Sequence, residues 1–183
     1  SAPQLISGEG GTASDPQLVA DGHGNAILAW SHLNQASPAY RVIWAARFNG
    51  GTRQWEAPRV VSHADGSHST FARVASDGRG RVVIAWRRTD GVNDSLWWTQ
   101  GWSSTSHRWS PPSRADSVHA PSGTIGSLAV GLSSKDRRII MAWSARFSAA
   151  STVPAICARA FGLSLPPLQD QARIISNTNG DPL

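Results

Sequence analysis

Asp21, His23 and Asn25 stand at alternate positions in ADGHGNAILAW, residues 20–30. Oxygen-bearing side chains at that spacing suit a calcium loop, and a Gly-rich turn suits a phosphate loop. The segment returns as ASDGRGRVVIAW at 75–86 and as SSKDRRIIMAW at 133–143. Arg79 and Arg81 occupy the alternate positions of the second copy, where a cation would need oxygen ligands. A phosphate loop leads from a strand into a helix, whereas an apolar run rich in Val and Ile follows here. The motif therefore reads as a hairpin turn, with Asp accepting backbone N–H groups and Gly supplying positive φ.

Other chemistry-bearing residues are sparse. Tyr40 is the only Tyr, and Glu9 and Glu56 are the only Glu, a scarcity that argues against a paired-carboxylate glycosidase site within the chain. Six histidines (His23, His32, His63, His68, His107, His119) fall mostly in loops without metal-ligand spacing, so no metal and no cofactor are expected. Cys157 is the single cysteine, which excludes an intramolecular disulfide and reads as a buried apolar residue. No catalytic residue is assigned, and the chain is read as leaning away from an enzyme. The nine tryptophans offer more. An aromatic platform flanked by arginine suits a sugar, which makes Trp44, Arg47 and Trp98 the candidate ligand contacts.

The net charge of +5 comes from 17 Lys and Arg against 12 Asp and Glu. The arginines are dispersed from Arg41 to Arg173, so nucleic acid is not an expected partner. No run is apolar enough to span a membrane as a helix, and the polar start SAPQLISGEGG lacks a signal-peptide layout.

The elements that must position these residues repeat. Trp30, Trp86 and Trp143 each follow Ala at the end of an apolar run, at almost even spacing. Trp44 and Trp98 are separated by nearly the same distance along the chain, as are Trp55 and Trp109. Phe48, Trp102 and Phe161 give a further aromatic landmark. Each copy divides into four short runs rich in Val, Ile and Trp and bounded by Gly, Asn, Asp, Ser and Pro, the signature of strands and hairpins. Four antiparallel strands recurring with a period of about 55 residues imply blades of a β-propeller and essentially no helix. The expected blades are 16–62, 71–116 and 126–176. Residues 1–7 match the last strand of a preceding blade and 181–183 the start of a following one. Three blades do not close a ring, so the expectation is a fragment of a propeller of six or seven blades, with a homo-oligomer as the alternative.

Trp55-Glu-Ala-Pro58 and Trp109-Ser-Pro-Pro112 each follow a loop between the third and fourth runs. Here the sequence resembles the sialidase-like superfamily, whose Asp-box repeats place Ser-x-Asp-x-Gly-x-Thr-Trp in that hairpin, often followed by Pro. The Asp and Gly positions of the motif are held by Gly50 and Thr52 in one copy and by Ser104 and Ser106 in the next. The resemblance implies a propeller fold. An active sialidase would also need three arginines, a Tyr nucleophile assisted by Glu, and an acid/base Asp. The expected function is a non-catalytic module recognising a glycan or a protein in a secreted or extracytoplasmic setting. The alternative is part of a sialidase-like glycoside hydrolase with most catalytic residues outside this chain.

Overall fold

The computed structural model describes residues 3–7, 11–35, 38–102, 108–115, 120–121, 124–146, 153–163 and 173–174. Among these residues there are strands and no helix. The first sheet contains β1 (Ala13–Ala20), β2 (Ala26–Asn34) and β3 (Tyr40–Asn49), with β4 (Gln54–Trp55) and β5 (Arg59–Val60) end to end along β3. Pro58 sits between β4 and β5, and its missing N–H interrupts what would otherwise be one fourth strand. The second sheet repeats the plan with β6 (His68–Ser76), β7 (Arg81–Thr89) and β8 (Asn93–Trp102), bordered by β9 (Ser113–Arg114) and β10 (Ala120–Pro121). The third contains β11 (Ile125–Leu132), β12 (Arg138–Ala145), β13 (Ala155–Gly162) and β14 (Arg173–Ile174). All pairings are antiparallel and run outward in chain order, so each sheet is a propeller blade. The innermost strands converge: β6 contacts β1 on one side and β11 on the other.

Two apolar layers hold the blades together. Ile27, Ala29, Ile43, Ala45 and Val61 of blade 1 meet Ala72, Val82, Ile84 and Trp86 of blade 2. Val83, Ala85, Leu96 and Trp98 of blade 2 meet Ile139, Met141, Trp143, Cys157 and Phe161 of blade 3. Side chains alternate along a strand, so a blade sandwiched on both faces needs apolar residues at every position. Val82 to Trp86 are accordingly all buried in β7, whereas β12 alternates between buried and accessible positions.

The pairing register corrects two sequence landmarks. Trp30 lies opposite Trp44, Trp86 opposite Trp97 and Trp143 opposite Cys157. Trp97, not Trp98, is therefore the counterpart of Trp44. Likewise Phe48 lies opposite Ala26, Gly101 opposite Val82 and Phe161 opposite Ile139, so Gly101, not Trp102, fills the third-strand aromatic position. The cause is loop length. The loop between the paired Leu33 and Arg41 is longer than the equivalent loop between Thr89 and Asp94. The next turn is slightly longer in blade 2, which gives Trp55 and Trp109 the same spacing as Trp44 and Trp98. A slip of one position reverses the face on which a side chain lies, so Trp98 points the opposite way from Trp44.

Candidate functional site

The Asp-Gly turns serve the backbone. Asp21 Oδ1 accepts the N–H groups of His23 at 2.7 Å and Asn25 at 3.0 Å. Asp77 Oδ1 accepts those of Arg79 at 2.8 Å and Arg81 at 3.0 Å. The intervening Gly22, Gly24, Gly78 and Gly80 all have positive φ. In the third hairpin the N–H of Ser133 reaches Arg138 O, a wider turn than the one closed from Asp21 N–H to Asn25 O. That wider turn is why Trp143 comes one position later than the spacing of Trp30 and Trp86 would place it. Among the described residues, no group of three or more His, Cys, Asp or Glu is placed to hold a metal ion.

The three candidate ligand contacts lie apart. Trp98 is buried between blades 2 and 3 with its ring 5.5 Å from that of Phe161. Arg47 is buried and pairs with Glu56, and its Nη2 donates to Asn25 Oδ1 at 2.8 Å. Trp44 is half-buried, stacked 6.4 Å from Trp30 and tilted 5.5 Å from His32. It lines a recess of about 230 Å³ together with His32, Asn34, Val42 and Val60. Cys157 is buried, and that burial pushes its thiol up.

Tyr40 and Glu56 are held separately. Tyr40 opens β3, is buried, and its hydroxyl accepts Asn34 Nδ2 at 2.9 Å. Glu56 pairs with Arg47 near the other end of the same strand, about 20 Å away at the usual rise per residue. Glu9 lies outside the described residues.

A denser polar assembly occupies the end of the blades where β1, β3, β6 and β8 begin. Each innermost strand carries an irregularity there, between Ser14 and Gln17, Thr70 and Arg73, and Ile125 and Leu128. Such bulges re-aim side chains. Asp15 stands exposed at the first, with φ of 54°. Ser14 Oγ is 3.5 Å from Asp15 Oδ2, and Arg41 Nη1 donates to Ser14 Oγ at 3.2 Å and Thr12 O at 3.4 Å. The Arg41 N–H donates to Nδ1 of exposed His68 at 3.4 Å, joining blade 1 to blade 2. Sequence reasoning missed Asp15 and Arg41. The signal was there in Asp15-Pro16, echoed by Asp181-Pro182, but its place in an innermost strand emerges only from the fold.

Two further clusters at this end are cross-braces. Arg88 Nη2 donates to Asp65 Oδ2 at 2.6 Å and Ser67 Oγ at 2.9 Å, with its guanidinium 5.2 Å over Trp97. Desolvation acts to raise Asp65, but the Ser67 N–H and Arg88 outweigh it and hold the carboxyl below its ordinary value. Buried Asp94 accepts Ile125 N–H at 3.1 Å while Arg87 Nη1 donates to Ile125 O at 2.9 Å. That pair grips both backbone groups of the first residue of β11.

No protein-family model matches the sequence, and comparison with curated proteins finds no match. Solved structures do resemble it. A Hadza microbial sialidase superimposes with a TM-score of 0.58 at 14% identity, over 88% of this chain and 36% of its own. The Fusarium graminearum GH93 α-L-arabinofuranosidase, in complex with arabinobiose, gives 0.59 at 13%, over 92% and 52%. The Penicillium chrysogenum α-L-arabinanase, also with arabinobiose, gives 0.55 at 11%, over 92% and 46%. The chain thus spans about half or less of each of these structures. At such identities the likeness is one of fold, and that fold is a sialidase-like β-propeller.

Proposed function

We propose that the chain is a non-catalytic binding module that recognises a glycan at the loop end of its first two blades. The observation that carries this reading is the exposed Asp15 linked through Ser14 to Arg41, with His68 beside them. A carboxylate accepts from neighbouring sugar hydroxyls, while a guanidinium fork donates to hydroxyl or carboxylate oxygens. The set is small, polar and mounted on strands rather than on long loops, which favours a fixed geometry. Two of the fold relatives are described with arabinobiose and a third as a sialidase, which supports a saccharide over a peptide. The separation of Tyr40 from Glu56 supports binding without hydrolysis. An extracytoplasmic or secreted setting is where such a ligand would be met.

The test is a glycan array probed with this chain, followed by calorimetry on the saccharide that binds best. Asp15→Asn keeps a residue that tolerates positive φ but removes the charge. It and Arg41→Ala should each weaken binding by about tenfold or more, near ~1.4 kcal/mol, with an unchanged circular dichroism spectrum. Absence of binding, or affinity equal to wild type in both variants, would remove the reading. Release of fluorophore from a sialoside substrate would replace it with the hydrolase reading.

A further inference from the structure

The fold sorts exposed charge between the two ends of the blades. Among the described residues the exposed carboxylates are Asp15, Asp65, Asp90 and Asp136, and the first three stand at the end where β1, β3, β6 and β8 begin. The opposite end is built from the turns after β1, β3, β6 and β11 and the segment leading into β9. It carries Arg53, Arg79, Arg108, Lys135, Arg137 and Arg138, all exposed, against the exposed carboxylate of Asp136. Asp136 is paired with Arg138 at 3.3 Å, and Asp77 is turned onto backbone N–H groups. Among the described residues only Arg59 and Arg146 are exposed Arg or Lys side chains elsewhere. Arginines dispersed along the sequence thus meet on one surface, because the same turns recur at the same end of each blade.

Two observations set this surface apart from ordinary solvated charge. The turns are packed together: a Cβ on Gly22 would meet Gly78 O at 3.4 Å, and Gly50 lies too close to the Gly24 backbone for any side chain. The cations of blades 1 and 2 therefore stand on one continuous base. In addition, Arg53 and Arg137 hold φ of 58° and 56°, where Gly or Asn is the ordinary occupant. Asn offsets that conformation with a local hydrogen bond from its short side chain, which Arg does not offer. The chain keeps a charge at two turn tips where a neutral residue would suit the backbone better, and strain of this kind collects at functional positions.

We propose that this end binds an acidic polysaccharide, its arginines donating to uronate carboxylates or sulfate groups. Five of the six exposed cations are arginines, whose planar fork matches either oxyanion. Among the described residues, no exposed large apolar side chain lies in these turns to enter a lipid surface. Trp55 and Trp109 are half-buried against Phe48 and Gly101 and are not free to stack on bases. The surface lies at the far end of the strands from Asp15 and Arg41, so it is a second binding function and does not extend the first.

Titration calorimetry of this chain with polygalacturonate and with heparin, over a series of salt concentrations, tests the assignment. Binding to at least one polymer is expected, weakening steadily as salt rises, and the preferred polymer identifies carboxylate or sulfate. The double variant Arg53→Asn/Arg137→Asn should bind about tenfold more weakly, at about threefold per cation, with Tm at or above wild type. Arg59→Gln/Arg146→Gln, which removes the same charge from elsewhere, should bind like wild type. An equal loss in that control would mean that net charge alone attracts the polymer, and would overturn the proposal. So would loss of binding accompanied by a fall in Tm, which would make Arg53 and Arg137 structural. Absence of binding to either polymer at low salt, or full affinity in the Asn variant, would overturn it as well. Tighter binding to duplex DNA or to phosphatidylserine vesicles than to both polysaccharides would replace it with a nucleic-acid or membrane reading.

Discussion

Arg47 illustrates how far a residue's type can mislead about its job. Near Trp44 in the sequence it suggested the flank of an aromatic platform for a sugar, and its guanidinium is engaged by Glu56 and Asn25 at the opposite end of β3 from Tyr40. The consequence is a stability role. Arg47→Ala leaves Glu56 without its counter-charge and the Asn25 oxygen without its guanidinium donor. It should cost about 2 kcal/mol, below the range for a fully buried pair because Glu56 is partly exposed. Arg47→Lys should recover only part, since one ammonium cannot fork to both partners. Urea unfolding midpoints measure this, and equal midpoints for Ala, Lys and wild type would refute it. Adjacency in sequence brought Arg47 to notice, whereas its partner Asn25 stands just before β2, across the β2–β3 hairpin. Burial and pairing of that kind are set by register, which the sequence carries only through loop lengths.

Within an element, the Asp-Gly turns were legible because their chemistry is local: Asp, two Gly and a backbone that needs both. Asp21 also accepts Asn25 Nδ2 at 2.8 Å, a bond that Arg81 at the equivalent place in the second copy does not provide. Asp21→Ala should therefore destabilise by about 2 kcal/mol and Asp77→Ala by about 1 kcal/mol. Neither loss should be mimicked by a chelator, because the carboxylates hold N–H groups and not a cation. Thermal melts with and without EDTA check both statements, and a chelator-induced fall in Tm would contradict the turn assignment. The period, the four-strand blade and the strand order were readable for the same reason. Trp98 was misplaced because two loop-length changes of opposite sign left it at the same spacing from Trp44 as Trp109 has from Trp55. The vacated position is Gly101, where a Cβ would come within 2.7 Å of the Trp109 ring. Trp109 thus fills the space that Phe48 takes beneath Trp55 in blade 1. An aromatic landmark had moved from one strand to the next, a substitution visible only when the two are seen packed.

At the scale of the whole molecule, the three blades share a plan but not an environment. Blade 2 has a neighbour on each side, whereas blade 3 leaves Ile140 and Ile156 exposed on the face turned away from blade 2. Stability in stacked repeats is the sum of each unit's own stability and its junctions, and the apolar area removed from water at a junction is the larger share. Blade 2 takes part in two such junctions, with Ile84, Trp86, Leu96 and Val83 fully buried between them. It is also tied to blade 3 by Arg87 and Asp94, and to the blade 1–blade 2 loop by Arg88 and Asp65. Amide exchange in dilute protein should therefore be slowest in β7 and β8, intermediate in β2 and β12, and fastest in β1 and β13, which belong to the blades flanking it. Exchange uniform across all three blades would mean that they open as one cooperative unit, and the additive view of the junctions would then fail.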